Sequence, residues 1–196
     1  MPQPSEPILL SEPLRIDPAT GLVRSLRQVL SPHCDLRPAG LQPELIVIHG
    51  ISLPPGQYGG GWIERLFCSN LPPDAHPYFA PIAALRVSAH ALIRRDGTTL
   101  QFAPFHLRAW HAGASSWQGR SGCNDYSIGI ELEGTDETPY EEAQYVALVR
   151  LVRVLLATYP ALGHDRIVGH DQIAPGRKTD PGVFFDWARL RAMMTV

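Results

Sequence analysis

The sequence has little cysteine, no long apolar run and no excess of charge of either sign, and each shortage closes off a class of protein. Its three cysteines, Cys34, Cys68 and Cys123, are odd in number, far apart and in no Cys-x-x-Cys pair. That pattern fits free thiols in a reducing compartment and argues against a disulfide scaffold. No stretch approaches the ~20 apolar residues needed to span a bilayer. The N-terminal residues Met1 to Pro13 lack the basic region and apolar run of a signal peptide. A cytoplasmic protein with no membrane role is therefore expected. The net charge is −2 and no Lys/Arg-rich block occurs, so there is no basic field for nucleic acid. No obligate protein partner is expected either.

Several catalytic signatures are missing as well. Gly50-Ile51-Ser52-Leu53-Pro54 fails as a nucleophile elbow at its last residue, and Gly176-Arg177-Lys178-Thr179 lacks the upstream glycine of a phosphate loop. There is no His-Glu-x-x-His, and no His-x-Glu with a Pro-Cys-x-x-Cys partner, which removes the commonest zinc protease and zinc deaminase patterns. Internal repeats are absent. Any metal site must draw on ligands scattered along the chain.

What is present suffices for one substantial core, since 44% of the 196 residues are apolar. Residues 1–30 read as a proline-rich, weakly ordered extension with a possible short helix over Arg24 to Leu30. The folded domain is expected over 31–196. Glu44 to Ile48 is a continuous apolar run too short for a helix, hence a strand covered on both faces, with His49 leaving it at the sheet edge. Trp62 to Phe67 reads as a short helix after a glycine-rich loop, and Leu71 to Pro81 as a proline-studded loop long enough for a functional role. Ala89 to Arg94 and Thr98 to Ala103 flank Asp96-Gly97, the pattern of a hairpin. Ser127 to Leu132 alternates, with Ile128, Ile130 and Leu132 on one face and Glu131 and Glu133 on the other. Thr138-Pro139-Tyr140-Glu141 has the form of a capping box opening a helix to about Tyr159, with Tyr145, Leu148, Val149, Val152, Leu155 and Leu156 as its buried stripe. Asp186 is the expected N-cap of a closing helix that ends near Met194. The interleaving predicts a single α/β domain with a mixed central β-sheet flanked by helices.

Chemistry concentrates between Ile167 and Gly182, where a short apolar strand delivers His170 into a loop carrying Lys178 and Asp180. His170 and Asp180 cannot be helix neighbours across that proline-containing loop, so they meet only if it folds back, as a bound metal would require. A third ligand has to come from elsewhere. His49 is the best candidate, because it ends one apolar run as His170 ends another.

The stretches Val47-Ile48-His49, Arg86-Val87-Ser88-Ala89-His90, Ala109-Trp110-His111-Ala112-Gly113, Ser127-Ile128-Gly129-Ile130-Glu131-Leu132-Glu133-Gly134 and Arg177-Lys178-Thr179-Asp180-Pro181-Gly182 occur in an order that resembles the zinc-dependent N-acetylmuramoyl-L-alanine amidases of the AmpD type. The resemblance spans about Ser31 to Thr195. It implies the amidase and peptidoglycan-recognition fold, a Zn²⁺ held by His49, His170 and Asp180, Glu131 as catalytic acid/base, and Lys178 as the group that stabilises the transition state. It also implies a substrate: an anhydro-muropeptide recycled in the cytosol, cut between the lactyl group and L-alanine, in some bacteria with an influence on β-lactamase induction. Trp110 and His111 resemble groove residues, with a core tryptophan beside a structural histidine as the other reading. Glu133 is the alternative to Glu131 on the same strand face. A muropeptide sensor on the same fold, as in recognition proteins that have lost a zinc ligand, is the alternative function.

One position departs from the family pattern. The residue before Cys123-Asn124-Asp125 is Gly122, where the family has a substrate-holding arginine. Arg120 is expected to replace that charge, beside Arg86 and Arg177, which the family motifs supply.

Overall fold

The computed structural model describes residues 13–195. Ten strands are found among them: β1 (Arg27–Gln28), β2 (Cys34–Asp35), β3 (Leu45–Ile51), β4 (Ala91–Ile93), β5 (Thr99–Gln101), β6 (Arg108–Ala109), β7 (Ser116–Trp117), β8 (Arg120–Ser121), β9 (Ser127–Glu133) and β10 (Ile167–Gly169). Four α-helices accompany them: α1 (Trp62–Phe67), α2 (Glu142–Thr158), the single turn α3 (His170–Ile173) and α4 (Trp187–Met194). Six strands form one mixed sheet in the order β1-β5-β4-β9-β3-β10, in which only the β4–β5 hairpin is antiparallel.

Strand alternation decides which face each residue serves. Ile46 and Ile48 of β3, and Ile128, Ile130 and Leu132 of β9, pack against Tyr145, Leu148, Val149, Leu151, Val152 and Leu155 of α2 and against Leu190 and Met194 of α4. On the other face lies a second cluster, in which α1 contributes Ile63, Leu66 and Phe67 against Leu92, Leu100 and Phe102. Leu45 and Val47 belong to a third, with Tyr126, Val168 and Ile173. The apolar run of β3 is thus covered on both sides.

The parallel register aligns His49 with Glu131 and Ile48 with both Ile130 and Gly169. His170, the residue after Gly169, is delivered beside His49. The three parallel strands therefore bring these residues together near their carboxyl ends, where open parallel sheets bind ligands.

Four expectations need correction. Arg24 to Leu30 is not helical: β1 pairs with β5, and Val29 and Ser31 donate to the carbonyls of Gln101 and Phe102. Val23 is fully buried and its amide donates to Gln101 Oε1, so the folded unit takes in residues before Ser31. The expectation for residues 1–12 lies outside the described residues. His49 does not end its strand, because pairing with β9 carries β3 on to Ile51. Finally, α2 starts with Glu141 as N-cap, its amide bound by Gln144 Oε1, and not at Thr138. Tyr140 is drawn instead into the core, where its hydroxyl donates to the Pro181 carbonyl. α4 behaves as expected, with Asp186 Oδ1 accepting from Arg189 N at 2.8 Å.

Candidate metal centre and cleft

His49 Nδ1, His170 Nδ1 and Asp180 Oδ2 converge at the carboxyl ends of β3 and β10. The contacts are 3.0 Å between the two imidazoles, 3.2 Å from His49 to Asp180 and 3.0 Å from His170 to Asp180. These side chains form the cluster of potential metal ligands found among the described residues. Local structure explains the meeting. His170 opens α3, and the chain then doubles back so that the Asp171 amide donates to the Asp180 carbonyl at 3.0 Å. Gly182 follows with φ +83°, and a Cβ there would lie 2.3 Å from the Asp136 backbone, so only glycine lets the loop close against residues 134–136.

The donor set fits a divalent ion. A tetrahedral metal with bonds of about 2.0–2.1 Å spaces its ligand atoms about 3.3 Å apart, close to the distances here. On its far side, His170 Nε2 lies 3.2 Å from the Ala112 carbonyl. A carbonyl only accepts, so Nε2 carries a proton, and the tautomer with that single proton points its Nδ1 lone pair at the cluster. Burial keeps His49 uncharged, its pKa down at about 4. Burial alone would raise the Asp180 carboxyl, but its contacts with His170 and His49 outweigh burial and hold Asp180 well below the usual carboxylate range. Two imidazole nitrogens and one carboxylate oxygen therefore face a common point.

The cluster lies at the floor of a cleft of about 520 Å³. One wall is apolar, with Leu66, Phe67, Ile82, Leu85 and Val87, and Tyr78 shows that part of the proline-rich loop contributes. Trp110, His111, Glu131 and Lys178 also line it. Trp110 is anchored by Nε1 donating to Asp35 Oδ1 at 3.2 Å, so the ring presents its apolar face. Lys178 is exposed and is the chain's single lysine. His111 touches the cluster directly: its Nδ1 is 2.9 Å from His49 Nε2.

The two glutamates of β9 separate cleanly. Glu131 is 9% exposed, and its Oε2 is buried with no hydrogen-bond partner. Burial pushes its carboxyl well above the normal value, the nearby Asp180 charge adds to the effect, and Lys178 opposes it. Glu133 is instead saturated: it accepts from the Gly59 amide at 2.6 Å, the Arg95 amide at 3.3 Å and Arg94 Nη1 at 3.4 Å. It ties the glycine-rich loop to the hairpin.

The arginines do not behave as the sequence suggested. Arg120 is engaged elsewhere, with Nη1 3.0 Å from Glu44 Oε2 and the guanidinium 3.8 Å above the Tyr126 ring, and it does not line the cleft. Gly122 has φ +72°, a conformation that costs an arginine about 1–2 kcal/mol, so an arginine there would be strained. Arg177 spends its donors on the Ala112 and Ala114 carbonyls, each 2.7 Å from Nη2, and fixes that loop. Arg86 is exposed close to His33, whose imidazole burial and, secondarily, the Arg86 charge keep neutral. Arg120→Ala is accordingly expected to leave KM within about twofold of the parent and to cost at most ~1 kcal/mol of stability in a denaturant titration.

Sequence reasoning missed Arg37. Its half-buried guanidinium donates to the carbonyls of Phe105, His106, Asn124, Asp125 and Ser127, stapling the segment that leads into β9. No local pattern could reveal this, because all five acceptors are backbone atoms distant in sequence.

The chain matches the N-acetylmuramoyl-L-alanine amidase family model over residues 39–183. A 1,6-anhydro-N-acetylmuramyl-L-alanine amidase, AmpD, of Salmonella typhimurium is 57% identical over 179 residues, 91% of this chain and 95% of that protein. A crystal structure of a selenomethionine AmpD derivative superimposes with a TM-score of 0.87 at 57% identity, over 89% of this chain and 97% of that one. The Escherichia coli amidase AmiD, solved in complex with anhydro-N-acetylmuramic acid-L-Ala-D-γ-Glu-L-Lys, is 30% identical with a TM-score of 0.56, over 80% of this chain and 60% of that one.

Proposed function

The chain belongs to the N-acetylmuramoyl-L-alanine amidase family, and from that premise we propose that one zinc ion on His49, His170 and Asp180 serves the cleft, with Glu131 and Lys178 as its catalytic residues. The protein is a hydrolase of peptidoglycan recycling that cuts the amide between the lactyl group of an anhydro-muramoyl sugar and L-alanine of the stem peptide. The observation that carries the site assignment is the unpartnered, buried Glu131 oxygen beside three converging ligand atoms. Buried carboxylate oxygens are rarely left unpaired, and one facing a cleft is available to a substrate.

Two nitrogens and one oxygen suit zinc, and three protein ligands leave a fourth position open. When bound there, zinc supplies Lewis acidity and brings the pKa of water toward ~7. The protein's own groups do the rest. Glu131, register partner of His49, takes the proton of the attacking water and returns it to the L-alanine nitrogen as the C–N bond breaks. Its raised affinity for a proton suits the returning step. Lys178 faces the negative oxygen that develops on the lactyl carbonyl and donates to it. Trp110 and the apolar wall offer a dry surface to the sugar and lactyl methyl. Arg86 is the cation left for a stem carboxylate.

The cytoplasm is the proposed compartment, in keeping with three free thiols. Among the described residues no helix is long and apolar enough to cross a membrane.

Mass analysis of products tests the reading. Zinc-loaded protein given an anhydro-muropeptide is expected to release the free sugar lactate and a peptide with L-alanine at its amino end. Recovery of intact muropeptide from folded, zinc-loaded protein would support the sensor reading instead.

A further inference from the structure

We propose that His111 is a positioning residue for the metal centre: a chain of hydrogen bonds from the Cys123 carbonyl through Ser127 and His111 fixes His49 as the tautomer whose Nδ1 lone pair faces His170 and Asp180. The inference rests on His49 being a ligand, as proposed above.

The direction of every proton in the chain follows from its first member. The Cys123 carbonyl can only accept, so the Ser127 hydroxyl, 2.5 Å away, donates to it. That hydroxyl has one proton, now committed. His111 Nε2, 3.1 Å from Ser127 Oγ, must therefore donate to the oxygen's lone pair. A neutral His111 with its proton on Nε2 offers a lone pair at Nδ1, and His49 Nε2 at 2.9 Å must donate to it. The remaining nitrogen of His49, Nδ1, is left unprotonated and aimed at the cluster.

The surrounding residues are built for this arrangement. A Cβ on Gly129 would lie 2.4 Å from His111 Cγ, so a glycine in the middle of β9 is what lets the imidazole lie against the strand. Asn124 Oδ1 accepts from the amides of both His111 and Ala112, at 3.1 and 2.8 Å. The neighbouring Ala112 carbonyl orients His170. Two adjacent residues, clamped by one asparagine, thus orient both imidazoles: residue 111 by its side chain, residue 112 by its backbone. Outer partners of this kind fix tautomer and ring orientation, and their loss typically costs 10–100-fold in metal affinity.

The test compares the parent protein with His111→Leu, His111→Asn and Ser127→Ala, all as full chains. Long-range ¹H–¹⁵N spectra of the metal-free protein report the His49 tautomer, and competition with a chelator reports zinc affinity. In the parent, His49 is expected to carry its proton on Nε2. His111→Leu should mix the tautomers and weaken zinc ~10–100-fold. His111→Asn, whose Oδ1 can take the place of the Nδ1 acceptor, should hold zinc within about threefold of the parent. Should the leucine variant fail to fold, Ser127→Ala reads the same relay, and a mixed His49 tautomer is expected there. A parent His49 protonated on Nδ1 would overturn the proposal, as would folded leucine and asparagine variants with equal zinc affinity. A parent that holds no zinc would defeat the metal assignment itself, whereas the tautomer, read without metal, judges the relay alone.

Discussion

Glu131→Gln is expected to lower kcat by ~10²–10⁴-fold, the usual scale for losing a positioned acid/base group, while the protein still carries one zinc per chain. The amide nearly matches the carboxylate in shape, so the packing around β9 should survive. What disappears is the capacity to accept and return a proton. KM should change little, because Glu131 has no hydrogen-bond partner on its buried Oε2 and holds no structure through that atom. Glu133→Ala is the informative companion. It removes the acceptor for the Gly59 and Arg95 amides, so a stability loss of ~1–3 kcal/mol is expected, with a far smaller effect on turnover than Glu131→Gln. A reversal of the two phenotypes, read by steady-state kinetics and denaturant titration, would mean that the wrong glutamate has been assigned.

The second large effect is expected at Asp180. Asp180→Ala removes the only anionic ligand and leaves two neutral imidazoles, so zinc should no longer survive dialysis and activity should fall by more than ~10³-fold, given that binding depends on the full ligand set. The fold should largely persist, because the Asp180 main chain keeps its bond from the Asp171 amide and Pro181 keeps its bond from the Tyr140 hydroxyl. Elemental analysis together with far-ultraviolet circular dichroism separates the outcomes. A folded variant that still holds one zinc would remove Asp180 from the ligand set.

Residues whose environment is set by their immediate neighbours could be read from sequence. The apolar run Leu45 to Ile48, the alternation from Ser127 to Glu133 and the stripe of α2 each bury along a simple period, and they appear as expected. The convergence of His49, His170 and Asp180 was also legible, since each histidine follows an apolar run, but it was the family resemblance that completed the ligand set. Long side chains were not. Arg120 could reach in several directions, and Glu44 and the Tyr126 ring, both remote in sequence, decide that it turns from the cleft. The start of α2 went astray because Thr138-Pro139 is a good local opening, yet burial of Tyr140 against the Asp180 loop draws the chain inward before the first turn. His111 was expected in the groove, and it does line the cleft. Its contact with His49 depended on a register that brings β9, β3 and residues 111–112 together.

If catalysis depends on one zinc held by His49, His170 and Asp180, metal-stripped protein should be inert until it is reconstituted. Hydrolysis of an anhydro-muropeptide should be absent after chelation and should return in proportion to added Zn²⁺, levelling off at one equivalent per chain. Full turnover by protein shown to contain no metal would remove zinc from the reaction.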